Sequence, residues 1–259
     1  MNWKMAFCVG ATALVGLTGI AHAQDTLRIG LEASYPPFES KSPEGKLEGF
    51  DIDVSNMICE RMKVKCVFVE NAFDGLIPAL NARKFDVINS AMNITAKRKQ
   101  AIDFTAPVYV VPIQMVAKNG SGLQPTVASL KGKTIGVAQG TSQEDFVKAH
   151  WATAGVKVQS YQAQDQIWSD LLSGRVDAAV QESQTAQDSF LSKPAGKDYA
   201  FAGAPLTDPV TLGEGTGLAV RKGDKATHDK VQAAIDSLKK DGSLSKLSLK
   251  YFKRDIIAK

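Results

Sequence analysis

The chain has 259 residues, 44% of them hydrophobic and 22% charged, with a formal net charge of +4 and three cysteines. Its basic residues are scattered rather than run together, so charge gives no argument for nucleic-acid binding. There is no solenoid-period repeat and no low-complexity tract, and the length fits one large domain or two lobes of about 100–120 residues.

Lys4 precedes sixteen apolar or small residues, Met5 to Ile20, and then Ala21-His22-Ala23. An early lysine, a short apolar core and an Ala-x-Ala end predict a secretory signal peptide, residues 1–23, cut after Ala23. A membrane anchor needs ~20 apolar residues, and this run is shorter and holds three glycines. No cysteine follows the cut, so no lipid anchor is expected. The mature protein should be soluble and exported, with 236 residues and, without Lys4, a charge of +3. Cys8 leaves with the leader. Cys59 and Cys66 remain as an even pair in an oxidising compartment. A metal site would need two further ligands, and the mature histidines are only His150 and His228; a disulfide is expected instead, with no metal and no cofactor.

Residues 27–31 read as a buried strand ending at Glu32, before a segment broken by Pro36 and Pro37. Residues 41–46 form a hairpin-like turn. Val54, Met57, Ile58 and Met62 keep helical spacing. Residues 66–69 form a strand, and 73–80 open a helix with Asp74 in its first turn. The Val87-Ile88 strand runs into Asn89, Ser90, Ala91 and Asn93, after which Thr95 offers an N-cap to a short helix carrying Arg98. Open N–H groups at a helix start, beside a guanidinium, suit a carboxylate. Residues 108–117 are extended, broken at Pro112. A second series then follows: strand 134–137, turn 139–142, a helix to His150, strand 157–161, helix 166–172, strand 176–180 and helix 183–191. Residues 205–217 are a Gly- and Pro-rich loop before strand 218–220. Val231, Ile235 and Leu238 mark an amphipathic helix, and 244–252 a final one. The alternation predicts an α/β protein with mostly parallel sheets, in two lobes.

Gly49-Phe50-Asp51-Ile52-Asp53-Val54, with Ile58-Cys59 and Met62 behind it, resembles the signature of family 3 extracellular solute-binding proteins, the amino-acid receptors of bacterial ABC importers. Tyr35-Pro36-Pro37-Phe38-Glu39, Ile94-Thr95 with Arg98, Asp103-Phe104-Thr105 and Gln139-Gly140-Thr141-Ser142 fit in order, so the resemblance spans essentially the whole mature chain. The Cys59/Cys66 spacing, Phe68-Val69-Glu70-Asn71, the run 125–133 and Gly196-Lys197-Asp198-Tyr199 are similar to the lysine/arginine/ornithine- and histidine-binding subgroup.

That resemblance implies two α/β lobes joined by two hinge strands, with ligand in a cleft that closes on it. Carried over, the first lobe is residues 24–109 with 216–259 and the second is 114–206. The crossovers are 110–113 and 207–215. The ligand carboxylate would meet Arg98, Asn93 and Ser142, and its ammonium Glu182. Glu32, Tyr35, Phe73 and Ser90 would set the side-chain end, with Tyr35 and Phe73 sandwiching an alkyl chain or guanidinium plane. Gln143 and Ala138 would line the second wall. Four positions depart from the subgroup: Glu32 and Glu182 stand for aspartates, and Ala91 and Asn93 for serines. Glu32 with Ala91-Met92 is also similar to relatives that bind opines.

The resemblance implies a monomeric periplasmic receptor for a cationic L-amino acid, delivering it to an inner-membrane ABC permease and acting on no nucleic acid. Opine capture, a sensory role, or a periplasmic enzyme resembling cyclohexadienyl dehydratase, with a cleft carboxylate as general acid, are the alternatives. There is no Ser-His-Asp set, phosphate loop or metal cluster in the sequence, and no catalytic residue is expected.

Overall fold

The computed structural model describes residues 25–259; the expected leader and its cut lie outside them. Among these residues the chain builds two five-stranded sheets and a small three-stranded one. In the first, Lys65–Glu70, Thr26–Leu31, Val87–Ile88, Ala219–Arg221 and Ile102–Phe104 lie side by side in that order. In the second the order is Lys157–Tyr161, Thr134–Ala138, Ala178–Glu182, Ile113–Lys118 and Tyr199–Leu206. Ser34–Tyr35, Glu39–Lys41 and Leu47–Glu48 form the small sheet, with the expected turn between the last two.

Side-chain alternation gives each sheet two buried faces. Ile29, Val87 and Val220 pack with Phe50, Val54 and Ile58 of helix Phe50–Met62 and with Val231, Ile235 and Leu238 of helix Lys225–Lys240. Their neighbours Ile88 and Ala219 point the other way, onto Leu76 and Leu80 of helix Leu76–Asn81. The second sheet repeats the device. Met115 and Val180 meet Val147 and Trp151, while Val116 and Ala179 meet Ile167, Trp168 and Phe190. No helix among the described residues is long and apolar enough to cross a membrane.

The sheets are mostly parallel, as expected, with one reversed strand in each. Four of the five strands in each sheet point the same way, but Ala219–Arg221 is antiparallel to both neighbours. Ile113–Lys118 is likewise antiparallel to both of its own. Parallel neighbours need a helical crossover of a dozen or more residues. These two strands enter from the other lobe instead, without one. Strand Tyr199–Leu206 was not foreseen either. Gly203 and Pro205 disguise it: the register shifts between Ala202 and Leu206, and a Cβ at Gly203 would lie 2.3 Å from Pro125 Cδ.

Cys59 and Cys66 form a disulfide between helix Phe50–Met62 and strand Lys65–Glu70. Chain-entropy arguments assign so short a loop roughly 2–3 kcal/mol. The Cys59→Ser/Cys66→Ser variant should therefore lose about that much in urea unfolding, and an unshifted midpoint would contradict it.

Candidate functional site

A cleft of about 400 Å³, solvent-open space included, lies between the lobes, and all eleven residues expected at the site line it, together with Thr141 and Gln164. Most follow the carboxyl ends of strands, where the backbone leaves a sheet and side chains converge. Glu32 follows Thr26–Leu31 and Ser90 follows Val87–Ile88. Thr141 and Ser142 follow Thr134–Ala138, Gln164 follows Lys157–Tyr161, and Glu182 ends Ala178–Glu182.

On the first lobe the loop after Val87–Ile88 is held from behind. Asn89 Nδ2 donates to the Asp51 carbonyl and Ser55 Oγ, both at 2.9 Å. Ser90 Oγ donates to Glu39 Oε1 (2.8 Å) and accepts from the Glu32 N–H (3.0 Å). Ala91 takes a left-handed φ of 44°, which a residue with a Cβ adopts only when its surroundings hold it there. Its N–H donates to Asp51 Oδ2 at 2.8 Å, and that same oxygen accepts from the Tyr109 hydroxyl at 3.0 Å. Glu39 and Asp51 are both 1% exposed. Burial pushes the Asp51 carboxyl up to about 7, and burial with the neighbouring Asp51 pushes Glu39 well above the carboxylate range.

Thr95 then caps Ala96–Lys99, its hydroxyl accepting from the Arg98 N–H. This short turn aims Arg98 into the cleft. The guanidinium donates to the Asn93 carbonyl at 2.8 Å and, across the cleft, to the Gly140 carbonyl at 3.0 Å. It also lies 5.3 Å from the Phe73 ring centroid. Burial lowers its pKa to about 10, which leaves it charged at neutral pH.

The second lobe presents Ser142 from the start of helix Ser142–His150 and Glu182 from the end of its strand. Asn93 Nδ2 reaches across to Ser142 Oγ (3.0 Å) and Glu182 Oε1 (3.1 Å). The Tyr35 hydroxyl donates to Gln181 Oε1 (2.5 Å) and Glu182 Oε2 (3.3 Å). Lys97–Asp145 and Gln139–Asp74 bonds close the rim. Gly140, at φ 74°, fits tightly beneath Asp74, whose Cβ would be 2.8 Å from an added Cβ. These contacts describe closed lobes. Glu182 is 1% exposed, and burial pushes its carboxyl up to about 8 against the lowering effect of the Asn93 and Tyr35 donors. Burial also raises Glu32, whose Oε1 accepts from Ser34 Oγ at 2.7 Å.

All the expected residues are thus brought together, with two changes of detail. The Ser90 hydroxyl is turned to Glu39 and the Glu32 backbone, so it holds the wall in place. Phe73 lies against Arg98, while Tyr35 reaches the second lobe. Glu39, Asp51, Gln164 and Gln181 were missed. Position after a strand end would have flagged Gln164; the buried acids carried no local signal.

Two α/β lobes closed on a cleft make this a solute-binding protein of the two-lobe kind. The chain belongs to the bacterial extracellular solute-binding proteins, family 3, whose family model matches residues 27–254. It is similar to the L-arginine-binding protein of Pseudomonas aeruginosa, 47% identical over 254 residues and 98% of each chain. The histidine-binding periplasmic protein of Salmonella typhimurium is 47% identical over 230 residues, 89% of this chain and 88% of that one. Among solved structures, an ancestral arginine-binding protein bound to arginine is 37% identical with a TM-score of 0.81, covering 89% of this chain and 100% of the other. An ancestral amino acid-binding protein, a precursor of cyclohexadienyl dehydratase, is 31% identical with a TM-score of 0.76 over 88% and 95%. These relatives are binding proteins.

Proposed function

We propose that the protein is a periplasmic receptor that captures a cationic L-amino acid of the lysine, arginine, ornithine and histidine class and delivers it to an inner-membrane ABC permease. Its lobes are residues 24–109 with 216–259, and 114–206, crossing at 110–113 and 207–215. One juxtaposition carries the reading: a buried guanidinium, Arg98, and a buried carboxyl, Glu182, face one closed cleft from opposite lobes. A zwitterion offers the complementary pair, carboxylate to Arg98, Asn93 and Ser142, and ammonium to Glu182. Glu32 supplies an acceptor for a basic side chain. Relatives named for arginine and histidine support the class.

The test is a thermal-shift screen on protein unfolded and refolded to strip carried-over ligand. A tight ligand raises the melting temperature with its excess over Kd. Basic amino acids should shift it; glutamate should not. Indifference to every basic compound rejects the reading.

A second reading, general-acid catalysis on the same fold, is favoured by one observation: Glu182 holds a proton up to about pH 8, as a general acid requires. Turnover of prephenate or arogenate by the purified protein would reverse the ranking.

A further inference from the structure

Gln164 opens helix Gln164–Ser173, lines the cleft and is 5% exposed. The orientation of its amide follows from neighbours whose roles are fixed. The Glu182 backbone N–H can only donate, and it meets the Gln181 side chain at 2.8 Å. The atom that receives it is therefore Gln181 Oε1, which also accepts from Tyr35 OH (2.5 Å) and Gln143 Nε2 (3.3 Å). Gln181 Nε2 must then face Gln164, so the Gln164 atom opposite is its acceptor, Oε1. That leaves Gln164 Nε2, an obligatory donor, buried with no hydrogen-bond partner. A buried donor left unmatched is costly, and such groups in native structures call for an explanation.

Glu32 lines the same cleft from the first lobe. It feels the charge of Asp165, the residue next to Gln164, and of Asp74. The cleft is thus lined by an acceptor on one lobe and by a residue with an unmatched donor on the other. Ammonium and guanidinium groups carry donors only. Neutral imidazole carries one donor and one acceptor, and a ureido group carries N–H donors together with one carbonyl acceptor.

We propose that Gln164 is a specificity-determining residue whose Nε2 donates to an acceptor on the ligand side chain, with Glu32 taking the neighbouring donor, so that among basic amino acids the cleft selects histidine over arginine and lysine. The inference rests on the amino-acid receptor reading above and names the side chain that reading leaves open. Gln164→Glu keeps the size and the acceptor facing Gln181 but replaces the unmatched donor with an oxygen.

The experiment is titration calorimetry of the refolded wild-type protein and Gln164→Glu with L-histidine, L-citrulline and L-arginine at pH 8, with thermal melts to verify folding. Wild type should bind histidine at least about tenfold tighter than arginine. In the variant, histidine and citrulline should each weaken by about tenfold or more, while arginine holds or gains. Citrulline against arginine isolates the effect, because the two differ at one terminal atom, an oxygen for a nitrogen. Equal changes for all three ligands mark a structural role and overturn the proposal, as does wild-type preference for arginine. The wild-type measurements stand even if the variant does not fold. Wild type binding arginine but not selecting histidine defeats this inference alone; wild type binding no basic amino acid defeats the receptor reading as well.

Discussion

Arg98→Ala should weaken capture of a basic amino acid by about 2–5 kcal/mol, because truncation strands the buried ligand carboxylate without its cation. At 1.4 kcal/mol per decade that is roughly 30- to 5,000-fold in Kd. The effect has two parts. The ligand loses a charge-assisted donor, and the Asn93 and Gly140 carbonyls lose the group that ties them together across the cleft. Arg98→Lys separates the two. It keeps the charge but, as a point cation, cannot hold both carbonyls and a carboxylate in one plane, so its loss should be intermediate. Calorimetry reads the effect, with circular dichroism to show that the lobes still fold. An unchanged affinity for lysine, arginine or histidine in the alanine variant would remove Arg98 from the site.

Affinity should also climb with pH until about pH 8, and Glu182→Gln should flatten the climb while costing an order of magnitude or more. Glu182 in the unliganded protein titrates at about 8 because burial disfavours its charge. A ligand ammonium stabilises the ionised form, so its pKa in the complex falls. Between the two values the free protein holds a proton that the complex does not, and binding releases it. Affinity therefore rises with pH across that window, by at most about tenfold per unit, and levels off above the free value. The stability of the unliganded protein moves the opposite way. The folded chain binds more protons than the unfolded chain between the ordinary glutamate value of about 4.3 and 8, so stability falls as pH rises through that range. Asp51, raised to about 7, adds a loss in the same direction. Calorimetry in buffers of different ionisation enthalpy would count the released proton; no release at pH 7 would contradict the assignment of Glu182.

The parts of this arrangement that lie close in sequence were legible there. Thr95 and Arg98 are three residues apart, and a cap followed by a guanidinium is a local pattern. Cys59 and Cys66 needed only a count. Glu182 was different: by itself it reads as a strand end at the surface. It is buried because Asn93 and Tyr35, 89 and 147 residues away, close over it from the other lobe. Only the family pattern marked it in advance. Glu39 and Asp51 failed for a related reason, since carboxylates are almost never fully buried unless paired, and nothing nearby in sequence announces the loop they hold. Gln164 escapes the sequence pattern because helical spacing is visible only from 166, whereas the helix begins at 164. Strand Tyr199–Leu206 shows the limit of composition, for a glycine and a proline that mark a loop elsewhere here mark a bulge.

Asp51 Oδ2 ties two distant parts of the chain to a single atom. Ala91 in the cleft loop donates to it, and so does Tyr109, whose backbone pairs with Thr216 and Ile257 where the chain passes between the lobes. Tyr109 cannot swing while the loop stays still without breaking one of these two bonds. The oxygen therefore pins the cleft loop and the last residue before the crossover to one point of the first lobe.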